Sequence, residues 1–416
     1  MKFGIEAINV FGGCTTLDLN LLAEHRSLDL KRFANLLVKE KAVALPYEDP
    51  VTFAVNAAKP IIDALTEEER NKIELVITCT ESGIDFGKSL STYVHHYLSL
   101  SRNCRLFEIK QACYSGTAGL HAAINFIMSN TSPGAKALVI ASDISRIEMP
   151  DDMENLPSGW AFAEPSGGAG AVAMLIGDNA EIFQLDVGAS GYYGFEVMDT
   201  CRPIPDAEVG NSDLALMSYL DCCEATFKEY QKRVEGADYC STFDYLSFHT
   251  PFGGMVKGAH RAMMRKIAKA KPKEIEEDFS TRVDPSLRYC EIVGNIMGGT
   301  VFLALASTIA HGDFESARRV GLFSYGSGCC SEFYSGIVTP EGQRLVQNAP
   351  GGKELENRHR LRVADYESLL RNAAPVKFGT RDVDLDWSFL PDARPRPGLL
   401  FLRKISEYHR QYEWNE

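Results

Sequence analysis

Hydrophobic and polar positions along the chain fall into two alternating kinds of stretch. Residues 2–11 (KFGIEAINVF) read as a strand, and Ile73–Thr80 (IELVITCT), Lys136–Ser142 (KALVIAS) and Ala169–Gly177 (AGAVAMLIG) are short apolar runs of the kind buried on both faces of a sheet. Arg105–Lys110 alternates like a short strand, and from Ala118 onward Leu120, Ala123, Ile124, Ile127 and Met128 recur at helical spacing. Asp29–Leu65 reads as helix-rich and ends in the cap-like Thr66-Glu67-Glu68-Glu69, and a further helix is expected from about Lys88 to Leu100. Ile147–Gly168 contains three prolines and keeps neither period, so it reads as a surface excursion.

The second part of the chain repeats the rhythm. Strands are expected at Ile182–Val187, Tyr245–His249, Val320–Tyr325 and Glu332–Val338, and helices at Leu214–Val234, Met255–Lys269 and Val301–Ala310. Pro350-Gly351-Gly352 breaks the chain before a charged helix, Glu354–Arg371, and Gly398–Leu402 is a last apolar strand. Strands alternating with helices imply an α/β architecture with helices covering sheets. The expected division is into two halves, 1–178 and 179–416, alike in rhythm but without a strong sequence repeat.

Composition narrows the function. A net charge of −13 argues against nucleic acid, which needs an excess of Lys and Arg. The eleven cysteines are scattered and never in C-x-x-C spacing, which argues against a disulfide framework and a zinc site and suits a reducing cytoplasm. Residues 1–20 hold no apolar signal core, and no run approaches membrane-spanning length.

Four reactive side chains lie just past a buried strand and beside glycine: Glu81 in TCTESGID, Cys113 in ACYSGTAGL, His249 in FHTPFGG and Ser327 in YGSG. Ligands of open α/β sheets bind beyond the carboxyl ends of strands, so such residues can converge. A carboxylate, a thiolate and an imidazole supply a proton carrier, a nucleophile and a carbonyl polariser. Cys113 sits where a strand hands over to a helix, and the positive end of the helix dipole favours thiolate there. Each residue also has a plainer reading: a buried core thiol, a solvated turn carboxylate, a hydrogen-bonded structural histidine, an ordinary turn. Spacing alone makes a Cys-His-Glu enzyme plausible and goes no further.

ACYSGTAGL, TCTESGID, EPSGGAGAVAMLIG (164–177), FHTPF (248–252), Gly294-Asn295 and YGSG (325–328) together resemble the 3-hydroxy-3-methylglutaryl-CoA synthase family, in order and over nearly all of the chain. QACYSGTAGL and PGAKALVIASDISR are most similar to its polyketide branch, the hydroxymethylglutaryl-acyl-carrier-protein synthases that install β-branches. The resemblance implies a thiolase fold, five-layered αβαβα from two pseudo-equivalent halves, a homodimer, no metal and no tightly bound cofactor. The substrates would ride on the phosphopantetheine of donor and acceptor carrier proteins, or on coenzyme A. It also implies that Cys113 accepts an acetyl group, Glu81 makes its methyl an enolate, and His249 polarises the acceptor's β-keto carbonyl. Asn295 would help hold the acceptor thioester and Ser166 would contact substrate; backbone groups at Cys113 and near Ser327 would form an oxyanion hole, and Asp143 matches a family acid that supports the site.

One departure stands out. Coenzyme A-dependent members carry a lysine five residues after the catalytic histidine, where this chain has Gly254, although Lys257 matches a later family lysine. Losing a cation favours a carrier protein over the phosphate-rich end of coenzyme A; glycine there can also be a local turn choice. The one dense cationic run (Lys257, His260, Arg261, Arg265, Lys266, Lys269, Lys271, Lys273) suggests a seat for an acidic carrier, with Lys257, Arg261 and Arg265 on one helical face. The competing readings are a mevalonate-pathway synthase using acetyl-CoA and acetoacetyl-CoA, a thiolase or ketosynthase, and a catalytically silent carrier-binding scaffold.

Overall fold

The computed structural model describes residues 1–145, 160–204, 207–372, 376–385 and 396–416. Nine strands make the main sheet: β1 (Gly4–Phe11), β2 (Ile73–Cys79), β3 (Arg105–Ile109), β4 (Lys136–Ile144), β5 (Ala169–Gly177), β6 (Phe183–Gly194), β7 (Tyr245–Phe248), β8 (Arg318–Gly326) and β9 (Cys330–Val338). Their spatial order is β7-β8-β9-β6-β1-β5-β4-β2-β3. The apolar runs behave as their composition requires: every residue of β5 is buried, as is every residue of β4 after Lys136.

The sheet contains the same arrangement twice. In β2-β4-β5-β1 the first pair is parallel and the next two antiparallel. In β7-β8-β9-β6 the sequence of orientations is identical. In each run the strand earliest in the chain lies last, and β3 is an additional edge strand beside β2. The runs meet along a short seam, Gly4↔Gln184 and Ile5↔Phe183. Gly4 is required there: a Cβ would stand 1.9 Å from the Phe183 carbonyl oxygen.

Two helices are buried nearly all round, as expected of helices enclosed between other elements. Helix α1 (Pro50–Ala64) buries Pro50 through Ala58 without interruption and packs on β1, β4 and β5. The helix Thr300–His311 buries Thr300 through Ile309 and packs on β1, β7 and β8.

Several sequence expectations need correction. Asp29–Leu65 is interrupted by a strand, Glu40–Val43, which pairs antiparallel with Thr15–Asp18; pairing with a remote partner overrides local preference. Most of the expected 147–168 excursion lies outside the described residues, and its end forms helix α3 (Trp160–Ser166), tied by an ion pair between buried Glu164 and Arg26. The single charged helix at Glu354–Arg371 is two, Pro350–Glu356 and Val363–Asn372. Between them Arg358 turns inward to donate to the Leu355 and Ile292 carbonyls, and His359–Leu361 pairs with Thr15–Leu17. The last strand is half of a hairpin, Leu400–Ser406 with His409–Trp414. All eleven cysteines are free thiols, and among the described residues no helix is long and apolar enough to cross a membrane.

Candidate active site

The nucleophile turn is built by the exit from β3. Ala112 adopts a left-handed backbone (φ 43°), which reverses the chain so that Cys113 lies two residues before helix α2 (Ser115–Met128). The turn is closed by Tyr114 N–H donating to Gln111 O and Ser115 N–H to Ala112 O, both at 3.1 Å. The Tyr114 hydroxyl donates to Glu332 Oε2 at 2.6 Å. Gly326, at the end of β8, approaches so closely that a Cβ would lie 2.6 Å from the Tyr114 nitrogen, so the second strand run presses directly on the nucleophile. Gly116 allows a similar approach, since a Cβ would stand 2.2 Å from the Gly298 carbonyl oxygen in the loop after Asn295.

Glu81 emerges from β2 and meets this turn: Cys113 Sγ donates to Glu81 Oε1 at 3.3 Å. Asp143, at the end of β4, holds the turn in which Glu81 sits. Its Oδ1 accepts from Thr80 Oγ1 (3.0 Å), Glu81 N (2.8 Å), Ser82 N (2.9 Å) and Ser82 Oγ (2.9 Å). Asp143 is wholly buried, and desolvation pushes its carboxyl up to about 6 despite the nearby Arg202. Its other oxygen makes no hydrogen bond among the described residues. The residue matched to a family acid therefore supports Glu81 and does not line the cavity.

His249 follows β7 and is fixed through its main chain, its N–H donating to Phe323 O (2.7 Å) and its carbonyl accepting from the Tyr219 hydroxyl (2.6 Å). Burial drives its imidazole down to about 3, so the ring is neutral at ordinary pH and acts as a hydrogen-bonding dipole. The Ser327 turn is held by buried Asp199, which accepts from the Tyr325 hydroxyl (2.5 Å) and Gly328 N–H (2.9 Å). Asn295 uses its Oδ1 to accept from Met297 N–H and Thr300 Oγ1, both at 2.9 Å, which aims its amide nitrogen elsewhere. Its backbone pairs with the Ser166–Gly168 segment after helix α3.

Glu81, Cys113, Ser166, His249, Asn295 and Ser327 all line one cavity of about 640 Å³. Four strand ends (before Glu81, Cys113, His249 and Ser327) and two helix ends (Ser166 and, past Val293, Asn295) thus deliver the six residues to one space. Sequence reasoning missed Arg202, which also lines it: Nη1 donates to the Glu81 carbonyl (3.3 Å) and Nε lies 3.7 Å from Glu81 Oε2. Arg202 sits in a short hairpin strand, Thr200–Ile204, with no apolar run or glycine turn to mark it. Among the described residues no cluster of His, Cys, Asp or Glu is arranged to hold a metal.

Residues 2–181 match the family model for the hydroxymethylglutaryl-coenzyme A synthase N-terminal region, and residues 261–414 match its C-terminal counterpart. The chain belongs to the hydroxymethylglutaryl-coenzyme A synthase family. It is 65% identical over 417 residues to the polyketide biosynthesis 3-hydroxy-3-methylglutaryl-ACP synthase PksG of Bacillus subtilis, over 99% of both chains. It is 33% identical to the hydroxymethylglutaryl-CoA synthase of Enterococcus faecalis, over 93% of this chain and 94% of that one. The curacin pathway HMG synthase solved with acetyl donor-ACP superposes with a TM-score of 0.96 at 61% identity, over the whole of both chains. An HMG-CoA synthase solved with CoA gives 0.83 at 28% identity, also over the whole of both chains. The α/β fold is thus that of the hydroxymethylglutaryl synthase structures.

In this family member the basic run lies apart from the cavity lining. Helix α5 (Gly253–Lys266) presents Lys257 and Arg261, which share Glu276 at 2.6 and 3.0 Å, and Arg265, which forms no ion pair among the described residues. His260 is buried, 2.9 Å from Asp278 and hydrogen-bonded to Tyr239, so it belongs to the core. Gly254 is more than a turn choice: a Cβ there would stand 2.0 Å from the Asn35 carbonyl oxygen, leaving no room for a lysine.

Proposed function

We propose that this protein is a β-branching hydroxymethylglutaryl-acyl-carrier-protein synthase, joining an acetyl unit from a donor carrier protein to the β-keto carbon of an acceptor carrier's acyl chain. The observation that carries the reading is the 3.3 Å hydrogen bond between Cys113 and Glu81 in a cavity that also holds a neutral, buried His249. Glu81 takes the thiol proton as Cys113 attacks the donor thioester, and returns it to the departing carrier thiol. It then removes a proton from the acetyl methyl, whose acidity the thioester raises. Backbone N–H groups at Cys113 and near Ser327 hold the enolate oxygen. The enolate carbon attacks the β-keto carbon while His249 donates to the ketone oxygen, and the proton on Glu81 passes to the new alkoxide. Water then cleaves the thioester, restoring the Cys113 thiol and leaving a free carboxylate on a product still attached to the acceptor carrier. Asn295 and Ser166, joined through their backbones, hold the acceptor thioester.

The repeated strand order supports a thiolase fold of two pseudo-equivalent halves, 1–178 and 179–416, with Glu81 and His249 in matching places after β2 and β7. Two helices buried nearly all round suit the central layer of a five-layered αβαβα arrangement. The outer edge of β3, which pairs with no strand among the described residues and has Phe107 exposed on it, suits the homodimer of the family. The eleven free thiols suit a cytoplasmic protein.

Gly254 favours a carrier protein over coenzyme A, because packing against Asn35 excludes a cation at that place. Lys257, Arg261 and Arg265 form the proposed seat of the carrier. Steady-state rates with acetyl and β-ketoacyl groups on carrier proteins, against the same groups on coenzyme A, test the reading. It expects kcat/KM to favour the carrier-bound pair. A preference for acetyl-CoA and acetoacetyl-CoA assigns the chain to the mevalonate-type reaction instead.

A further inference from the structure

We infer that Arg202 is a positioning residue for the general base: it grips Glu81 by both main chain and carboxylate and holds that carboxylate ionised beside Cys113. The inference rests on the functional reading above and concerns a residue which that reading does not use.

The two carboxylate oxygens of Glu81 are divided between two neighbours. Oε1 accepts from Cys113 Sγ at 3.3 Å, whereas Oε2 faces Arg202 Nε at 3.7 Å. The same guanidinium donates through Nη1 to the Glu81 carbonyl at 3.3 Å. Asp143 holds the Glu81 N–H from the other side, at 2.8 Å. The main chain of the base is therefore pinned at both its N–H and its C=O, and its side chain between a thiol and a cation. Side-chain exposures of 18% for Arg202 and 15% for Glu81 keep the pair little screened by water.

Such a cation matters because several described groups around Glu81 are negative or neutral. Asp143 reaches it from β4, Glu108 on β3 lies close enough to interact electrostatically with Asp143, Cys113 approaches from the turn before α2, and the ring of His249 is uncharged. Thr80 and Ser82, on the strand end itself, are neutral. Like charges favour protonation of a carboxylate, and an opposite charge within about 4–6 Å favours ionisation; Arg202 Nε, at 3.7 Å, lies inside that range. A protonated Glu81 cannot take a proton from the acetyl methyl, so the cation keeps the base in its working form. Lys110 and Arg202 are the only Lys or Arg among the described residues lining the cavity, and the contacts to Glu81 are made by Arg202.

The test follows deuterium uptake from D2O into the methyl of acetyl-Cys113, by mass spectrometry of the labelled active-site peptide, with no acceptor present. Parent, Arg202→Gln and Arg202→Lys are loaded with acetyl from the donor carrier protein and followed across pH. Because Glu81 also takes the thiol proton during loading, Arg202→Gln should load more slowly but to completion, and exchange, timed from fully loaded protein, should fall by about 10²-fold, the scale of general-base effects. The acid limb of the Gln variant's exchange profile should move to higher pH, because a carboxylate that loses its cation binds its proton more tightly. Arg202→Lys should restore much of both. An unmoved acid limb, unchanged exchange from fully loaded Arg202→Gln, or no rescue by lysine overturns the positioning role. A parent that never acquires the acetyl label overturns the functional reading, and this inference with it.

Discussion

Cys113 Sγ lies 3.3 Å from Glu81 Oε1, although the two residues follow different strands and stand thirty-two positions apart in the chain. A thiol and a carboxylate in hydrogen-bond contact divide the work of acyl transfer and proton abstraction, and the division is separable by mutation. Glu81→Gln keeps the size of the side chain and removes the base. Condensation should fall by about 10²–10⁴-fold, while acetyl-Cys113 still forms, more slowly, and persists. Quenched-flow labelling with a radioactive acetyl donor checks this; equal loss of loading and condensation would place Glu81 in the first half-reaction only.

His249 is expected to stay neutral throughout the working range, since burial holds its imidazole at about 3. A folded-state value below the ordinary 6.5 means that this group's contribution to stability is complete above pH 6.5 and is lost as pH falls towards 3. NMR of the His249 ring protons should therefore show no titration between about pH 5 and 8, the range in which an unperturbed histidine titrates. A midpoint near 6.5 would make the ring a proton donor and contradict its role as a neutral dipole.

Asp143 responds in the opposite sense. Its folded carboxyl is raised to about 6 from an ordinary 3.8, so its favourable contribution is complete below pH 3.8 and is lost as pH rises through 6. Asp143→Asn should flatten that part of the stability profile and retain most of the bonds to Oδ1. Asp143→Ala leaves three buried or half-buried donor residues, Thr80, Glu81 and Ser82, without their acceptor and should cost about 2–4 kcal/mol. Urea denaturation of both variants at pH 5 and pH 8 measures the difference.

Gly116→Ala tests how tightly the nucleophile helix is keyed to the Asn295 loop. The added methyl would meet the Gly298 carbonyl oxygen at 2.2 Å, so backbone must shift. Overpacking of this kind costs about 1–3 kcal/mol. Thermal melts should show that loss, and the KM for the acceptor should rise as Asn295 moves, with acetyl loading less affected.

The carrier seat makes a graded prediction. Arg261 already shares Glu276 with Lys257, whereas Arg265 forms no ion pair among the described residues. Arg265→Glu should therefore raise the KM for a carrier-bound acceptor more than Arg261→Glu does, and neither should matter for a small thioester mimic. Equal effects on carrier and mimic would remove helix α5 from the docking surface.

Much of this arrangement was legible in the sequence because it rests on local signals. The runs at Ile73–Cys79 and Ala169–Gly177 announce themselves as buried strands, and the glycines after them mark where reactive side chains emerge. The Thr66–Glu69 capping box is likewise readable from residue order alone. What escaped depends on partners far along the chain. The strand Glu40–Val43 exists because Thr15–Asp18 lies beside it, and helix α3 is anchored by Arg26, more than a hundred residues away. Arg202 has no local signature either, and its meaning comes only from standing next to Glu81. The cationic run shows the reverse: of Lys257, Arg261 and Arg265, expected on one face, the first two share Glu276, while Lys266 pairs with Glu224 and His260 is buried against Asp278.

The central claim is that Cys113 carries the acetyl unit that becomes the branch. The most direct measurement is intact-protein mass spectrometry after mixing with acetyl-carrier protein, followed by a chase with β-ketoacyl-carrier protein. The account predicts a single acetyl adduct, absent in Cys113→Ala, that disappears on the chase as a hydroxymethylglutaryl-type product appears on the acceptor carrier. Branched product from the Cys113→Ala protein, or an adduct that the chase leaves in place, would contradict it.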